Sequence, residues 1–233
     1  MQNVRYEFDI CDLLYHKNMM SVNDQTHQER AISLLRERGI ARLSEFIAAG
    51  ITSATVTRME KRGELLQLGR GLYQLPDVEL DANHSLAEAA KRVPRGVICL
   101  VSALAFHELT DTIPSRVWMA IGSADRRPKV ETPPMQFVRF GPVTLDAGVE
   151  EHLIEGVTVR IYSPAKTVVD LFRYRRREGR RFQHSTGLNL AIEGLREALR
   201  SGKARPSEIA SYAHDVGIWR VMQPYLETLT SNG

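Results

Sequence analysis

Ile40–Pro76 reads IARLSEFIAAGITSATVTRMEKRGELLQLGRGLYQLP, and its punctuation predicts a helix-turn-helix followed by a short two-stranded wing. Ser44 is placed to cap a short helix Glu45–Ala49, which Gly50 can close in the left-handed region. Ile51 packs the turn inward. Thr52 or Ser53 caps the next helix, which runs to about Arg62 and stops at Gly63. On that helix Val56 and Met59 share one face, while Ala54, Thr57, Arg58 and Lys61 lie roughly opposite. Glu64–Leu68 and Leu72–Leu75 are strand candidates joined at Gly69-Arg70-Gly71, whose two glycines permit the positive φ of a tight hairpin. Arg70 is therefore expected at a loop tip. An opening helix from about Asp24 to Arg38 completes the order.

Capped helices and glycine turns are common, so a small helical subdomain with no nucleic-acid role remains an alternative reading. The ordered combination of opening helix, short helix, Ser/Thr/Arg/Lys-faced helix and Arg-tipped hairpin favours DNA. On that reading Ser53, Thr55, Thr57, Arg58, Lys61 and Arg62 face the major groove or its flanking phosphates, and Arg70 enters the minor groove or touches the backbone. Thr57, Arg58 and Lys61 are the better placed for base readout.

Charge supports the same picture by its distribution rather than its total. The 233 residues carry a net charge of +3 and are 43% apolar, enough for one large or two modest cores. Residues 24–76 hold a net +2, residues 163–205 a net +7, and the remainder a net −6. Positive charge thus gathers in the expected DNA reader and in one later block, as an anionic partner requires.

Only Cys11 and Cys99 occur, too few for a disulfide framework or a cysteine metal site, which suits a cytoplasmic setting. The longest apolar run, Val97–Phe106, spans ten residues including Ser102, half a membrane crossing. No membrane association is expected. The start MQNVRYEFDICDLL lacks the basic opening and small-residue cleavage site of a signal peptide, and Met19 or Met20 could serve as an alternative start.

The expected fold class is α+β, in three parts. Residues 1–22 form an extension, 23–81 a winged helix-turn-helix domain, and 82–233 a mixed α+β domain ending in a helical subdomain. Within the last part, Ser85–Arg92 reads as a helix, Val97–Leu100 as a strand, and Ser102 as the cap of a helix Ala103–Leu109. Val117–Ile121 and Met135–Phe140 read as strands, and His152–Ile154 with Val157–Ile161 as a hairpin turning at Glu155-Gly156. Ser163-Pro164 is a strong helix start. The helix that follows runs into Arg173, Arg175, Arg176, Arg177, Arg180 and Arg181, six arginines in nine residues. They are either a solvated helix end favoured by the C-terminal dipole or a second patch for phosphate or an acidic partner. Helical patterns over Gly187–Arg200, Pro206–Asp215 and Ile218–Leu229 finish the chain.

No catalytic or metal-binding constellation emerges, and no cofactor is expected. Ile121–Arg127, IGSADRR, resembles the Gly-Ser opening of a nucleotidyltransferase metal site, but Arg127 stands where a second carboxylate is needed. No acidic-X-Lys triplet of the nuclease type occurs, and no two histidines have i, i+4 spacing. His107-Glu108 is an acid/base candidate outweighed by a structural role on an apolar helix. A DNA-associated enzyme (nuclease or nucleotidyltransferase-like) and a protein-binding adaptor without a DNA role remain the alternatives.

Four blocks in order resemble the AbiEi-like antitoxins, transcriptional regulators of type IV toxin-antitoxin systems. They are GELLQLGRGLYQLP, CLVSALAFHELTDTIPSRVWMAI, YSPAKTVVDLFRYR, and LREALRSGKARPSEIASYAHDVGIWRVMQPYLETL, and the likeness spans about residues 24–230. The resemblance implies an N-terminal winged helix that represses its own operon at promoter DNA, with inverted repeats as its sites, and a C-terminal domain required for antitoxicity. It also implies a neighbouring nucleotidyltransferase-like toxin, opposed without a stable complex, and a part in phage defence. The N-terminal extension departs from the compact start of that family.

Overall fold

A computed structural model describes residues 26–79, 81–175 and 187–231. The expected extension at 1–22 and Arg176, Arg177, Arg180 and Arg181 lie outside the described residues. The fold is mixed α+β with two sheets, and the chain divides after Glu79 into two compact units.

The first unit begins with helix α1, residues 26–38, and continues through strand β1 (Ile40–Arg42), helices α2 (Leu43–Ala48) and α3 (Ser53–Lys61), and strands β2 (Leu66–Gly69) and β3 (Leu72–Gln74). The strands form an antiparallel sheet of order β1-β3-β2. β1 was not expected from the sequence. It pairs Ile40 with Gln74 and Arg42 with Leu72, so the hairpin is anchored to the chain just ahead of α2. One apolar cluster holds the unit, with Ala31 and Leu35 from α1, Phe46 from α2, Val56 and Met59 from α3, and Tyr73 from β3. Phe46 meets Tyr73 edge to face at 5.9 Å, the geometry the ring quadrupoles favour.

The second unit is built on a five-stranded sheet of order β6-β5-β4-β8-β7. Its strands are β4 (Val97–Ile98), β5 (Val117–Gly122), β6 (Met135–Phe140), β7 (Val149–Ile154) and β8 (Val157–Tyr162). β5 runs parallel to β6 and antiparallel to β4, β4 runs parallel to β8, and β7 with β8 forms an antiparallel hairpin. That hairpin turns at Glu155 and Gly156, both at positive φ as a two-residue primed turn requires. The helices are α4 (His84–Arg92), α5 (Leu100–Phe106), α6 (Pro142–Asp146), α7 (Pro164–Tyr174), α8 (Leu188–Arg200), α9 (Pro206–Asp215) and α10 (Trp219–Ser231). α5 starts three residues earlier than the sequence suggests, and Ser102 is not its cap. Its hydroxyl accepts from the Trp118 amide at 2.9 Å and donates to the Arg116 carbonyl, tying α5 to the start of β5.

α7 is the keystone of this unit: every residue from Ala165 to Phe172 is buried. Ser163 caps it by accepting from the Lys166 amide, with Pro164 in the first turn. A single apolar core joins α5 and α7 to α8, α9 and α10. α8 approaches α5 closely at Gly194, where a Cβ would stand 2.7 Å from Leu104 Cδ1.

Candidate nucleic-acid interface

α2 and α3 are set by a turn whose parts are local. Gly50 has φ +78°, and the Ile51 amide donates to the Phe46 carbonyl at 2.9 Å, bringing Ile51 into the core. Thr52 then caps α3, its hydroxyl accepting from the Thr55 amide at 3.2 Å. Gly63 at φ +74° ends the helix, and the Glu64 amide returns to the Met59 carbonyl. α2 itself starts at Leu43 rather than Glu45, because Glu45 accepts from the Arg42 amide at 2.7 Å and so fixes Arg42, not Ser44, as the cap.

Burial sorts α3 into two faces. Thr55, Val56 and Met59 face the core, whereas Ser53, Ala54, Thr57, Arg58, Lys61 and Arg62 are exposed. Thr55 is a correction to the expected contact set. It is 2% exposed, and its hydroxyl sits 3.0 Å from that of Thr52 and 3.4 Å from Arg58 Nη2. It supports Arg58 from below instead of reaching a groove. Arg62 leans toward Glu64 at 3.9 Å on the surface, a separation that contributes little.

The hairpin presents Arg70 at an exposed tip between Gly69 and Gly71. Gly71 lies at φ +69°, a bulge displaces the register between Gln67 and Gly69, and the Gly71 carbonyl accepts from the Leu43 amide at 2.9 Å. The β3 side of the tip is therefore pinned where β1 runs into α2. Burial raises the Tyr73 phenol pKa, Glu60 adds to that rise, and Gln67 opposes it, so the ring stays neutral beneath the hairpin.

The arginine block divides differently from expectation. Arg173 turns inward, its guanidinium carbon 5.8 Å above the Phe140 ring, and Arg175 Nη1 donates to the Phe172 carbonyl at 2.5 Å, capping its own helix. Neither is presented as a free phosphate contact.

The enzymatic candidates are absorbed by structure. Asp125 accepts from the Gly122 amide at 3.1 Å and pairs with Arg95, closing the turn after β5. His107 Nε2 donates to the Tyr162 carbonyl at 2.7 Å, while Glu108 pairs with Lys203. Their side chains serve separate contacts. Among the described residues no group of His, Cys, Asp and Glu is arranged to hold a metal ion, and no helix is long and apolar enough to cross a membrane.

Sequence reasoning missed the buried pair Lys166–Asp170, which no surface pattern announces. Lys166 Nζ contacts Asp170 Oδ2 inside α7 and lies over the Tyr162 and Phe140 rings at 4.5 and 4.9 Å. Burial nevertheless pushes the Asp170 carboxyl pKa up against the pull of Lys166 and Arg173. Asp170 Oδ1 and Arg173 Nη1 have no hydrogen-bond partner among the described residues. Burial likewise pushes the Cys99 thiol well up, leaving it unreactive. A charged i, i+4 spacing was the available signal, but on sequence alone it reads as a surface pair.

No curated protein matches the sequence. Among solved structures, the chain is similar to the crystal structure of RV2827C protein from Mycobacterium tuberculosis, with a TM-score of 0.56 at 14% identity, covering 88% of this chain and 77% of that one. At that identity the likeness concerns the fold alone. Residues 29–76, which carry α3 and the hairpin, match the family described as "Transcriptional regulator, AbiEi antitoxin", the family that the sequence resembles.

Proposed function

We propose that this protein is a DNA-binding transcriptional repressor that serves as the antitoxin of a type IV toxin-antitoxin system and regulates its own operon. The observation that carries the reading is the exposed ridge Ser53, Thr57, Arg58, Lys61 and Arg62 on a helix fixed by a capped turn, beside an Arg-tipped hairpin, within the segment that matches AbiEi regulators. The first unit acts as a winged helix-turn-helix, with α3 in the major groove and Arg70 on the minor groove or backbone. Arg62 and Arg70 supply phosphate affinity, and Thr57, Arg58 and Lys61 read base edges in promoter DNA carrying inverted repeats.

The chain itself performs no catalysis on this reading and takes no cofactor. It acts in the cytoplasm, and the partner is a nucleotidyltransferase-like toxin that it opposes without a stable complex, in defence against phage. Arg176, Arg177, Arg180 and Arg181 are proposed as a second phosphate-contacting patch, with Arg173 and Arg175 serving the fold instead.

Titrating the intact protein with its upstream intergenic DNA tests this directly. Arg58→Ala should weaken binding by about 1–3 kcal/mol and relax sequence preference, and Arg70→Ala should weaken it across all sequences. Unchanged affinity in both variants rejects the assignment.

A further inference from the structure

A cleft of about 640 Å³ opens where the last turns of α8 and α10 meet the start of α9. Leu199, Ala204 and Leu229 line it as apolar surface, and Arg196, Arg200 and Arg205 line it as cations. The walls are preset. Gly202 at φ +68° reverses the chain, the Ala204 amide donates to the Ala198 carbonyl, and Glu208 holds the Arg205 amide at 3.2 Å as α9 begins at Pro206. Arg200 is engaged by Glu197 through contacts of 2.9 and 2.6 Å. Arg196 and Arg205 are exposed and, among the described residues, have no carboxylate within ion-pair distance. Arg196 and Arg200 also border a smaller cleft of about 400 Å³ whose walls hold Glu108, Asp111, Glu193 and Glu197. Arg196 and Arg200 on α8 thus stand between a carboxylate-rich hollow and the apolar-floored one.

We infer that the basic cleft docks an acidic peptide segment of a partner protein, with an apolar side chain on Leu199, Ala204 and Leu229 and flanking carboxylates on Arg196 and Arg205. Charge complementarity selects the partner's sign, since a guanidinium fork matches a carboxylate in bidentate geometry. The floor selects its class. A nucleic-acid backbone gains nothing from aliphatic side chains, and bases stack on aromatic rings, of which this cleft has none. A peptide that alternates acidic and apolar residues satisfies both halves of the site. This inference goes beyond the DNA-binding reading and does not depend on it.

The test is fluorescence anisotropy of the full chain with a labelled synthetic peptide of sequence EDLLED, beside a companion in which serines replace the leucines. The EDLLED peptide should bind, the serine peptide should bind about tenfold more weakly or worse, and Arg196→Glu with Arg205→Glu should weaken binding by more than about tenfold, as expected for losing two charge-assisted pairs. That variant should keep the parent melting temperature, because both side chains are exposed, and should still bind promoter DNA. No binding of EDLLED to the folded parent protein overturns the inference, as do equal affinities for the two peptides or full binding by the charge-reversed variant. Equally potent displacement by a short single-stranded oligonucleotide also overturns it, in favour of a nucleic-acid site. Loss of promoter binding by Arg58→Ala with peptide binding intact separates this site from the DNA reader.

Discussion

His107 and Lys166 show how buried polar side chains hold the second unit together, and each can be probed alone. Burial lowers the His107 pKa from 6.5 against the opposing pull of the Tyr162 carbonyl bond and Glu150, with His152 and Lys203 adding to the fall. The fold therefore prefers the neutral ring, and its contribution is complete above the ordinary value and lost as pH falls through the lowered one. The melting temperature should drop between about pH 7 and pH 5, and His107→Gln should flatten that part of the profile. An unchanged slope would show that His107 does not govern it. Lys166 and Asp170 behave as a unit. Lys166→Met leaves a buried carboxylate unpaired and should destabilise by about 3–5 kcal/mol in urea unfolding, whereas pairing it with Asp170→Leu should recover most of the loss.

At the scale of elements, α3 decides, on the proposed reading, what reaches DNA. Thr55→Val removes a buried hydroxyl that meets Thr52 and Arg58, so stability should fall by about 1 kcal/mol, with promoter binding changed far less than by Arg58→Ala. A Thr55→Val loss equal to that of Arg58→Ala would return Thr55 to the contact set. Thr55 was misread because it neighbours Thr57 in sequence, yet it stands four residues before Met59 and beside Val56 on the core side. The elements most legible in sequence were those with local chemistry: the Thr52 cap, the Gly50 and Gly63 stops, the Gly69-Arg70-Gly71 tip and the Ser163-Pro164 start. β1 escaped notice because three residues are too short for a period, and its strand character comes from pairing with β3, a long-range contact. α5 was shifted because Ser102 has the chemistry of a cap, although here it bonds across to Trp118 and Arg116.

Across the whole molecule, the proposed reader and a body divide the work. The first unit places its cations on α3 and the hairpin tip, while the second spends its charged residues on interior pairs, on turns, and on two clefts bordered by α8. Sequence charge counting located the positive blocks but could not separate outward from inward arginines, since Arg173 turns toward Phe140 and the Asp170 carboxyl and Arg175 toward the Phe172 carbonyl. The most direct test of the central claim is the affinity of the intact protein for its upstream intergenic DNA across a salt series. Log affinity should fall linearly with log salt, at about −0.9 per phosphate neutralised, and Arg70→Ala should reduce the slope by about one phosphate. A response that is flat in salt, or one that Arg58→Ala and Arg70→Ala leave unchanged, would contradict the account.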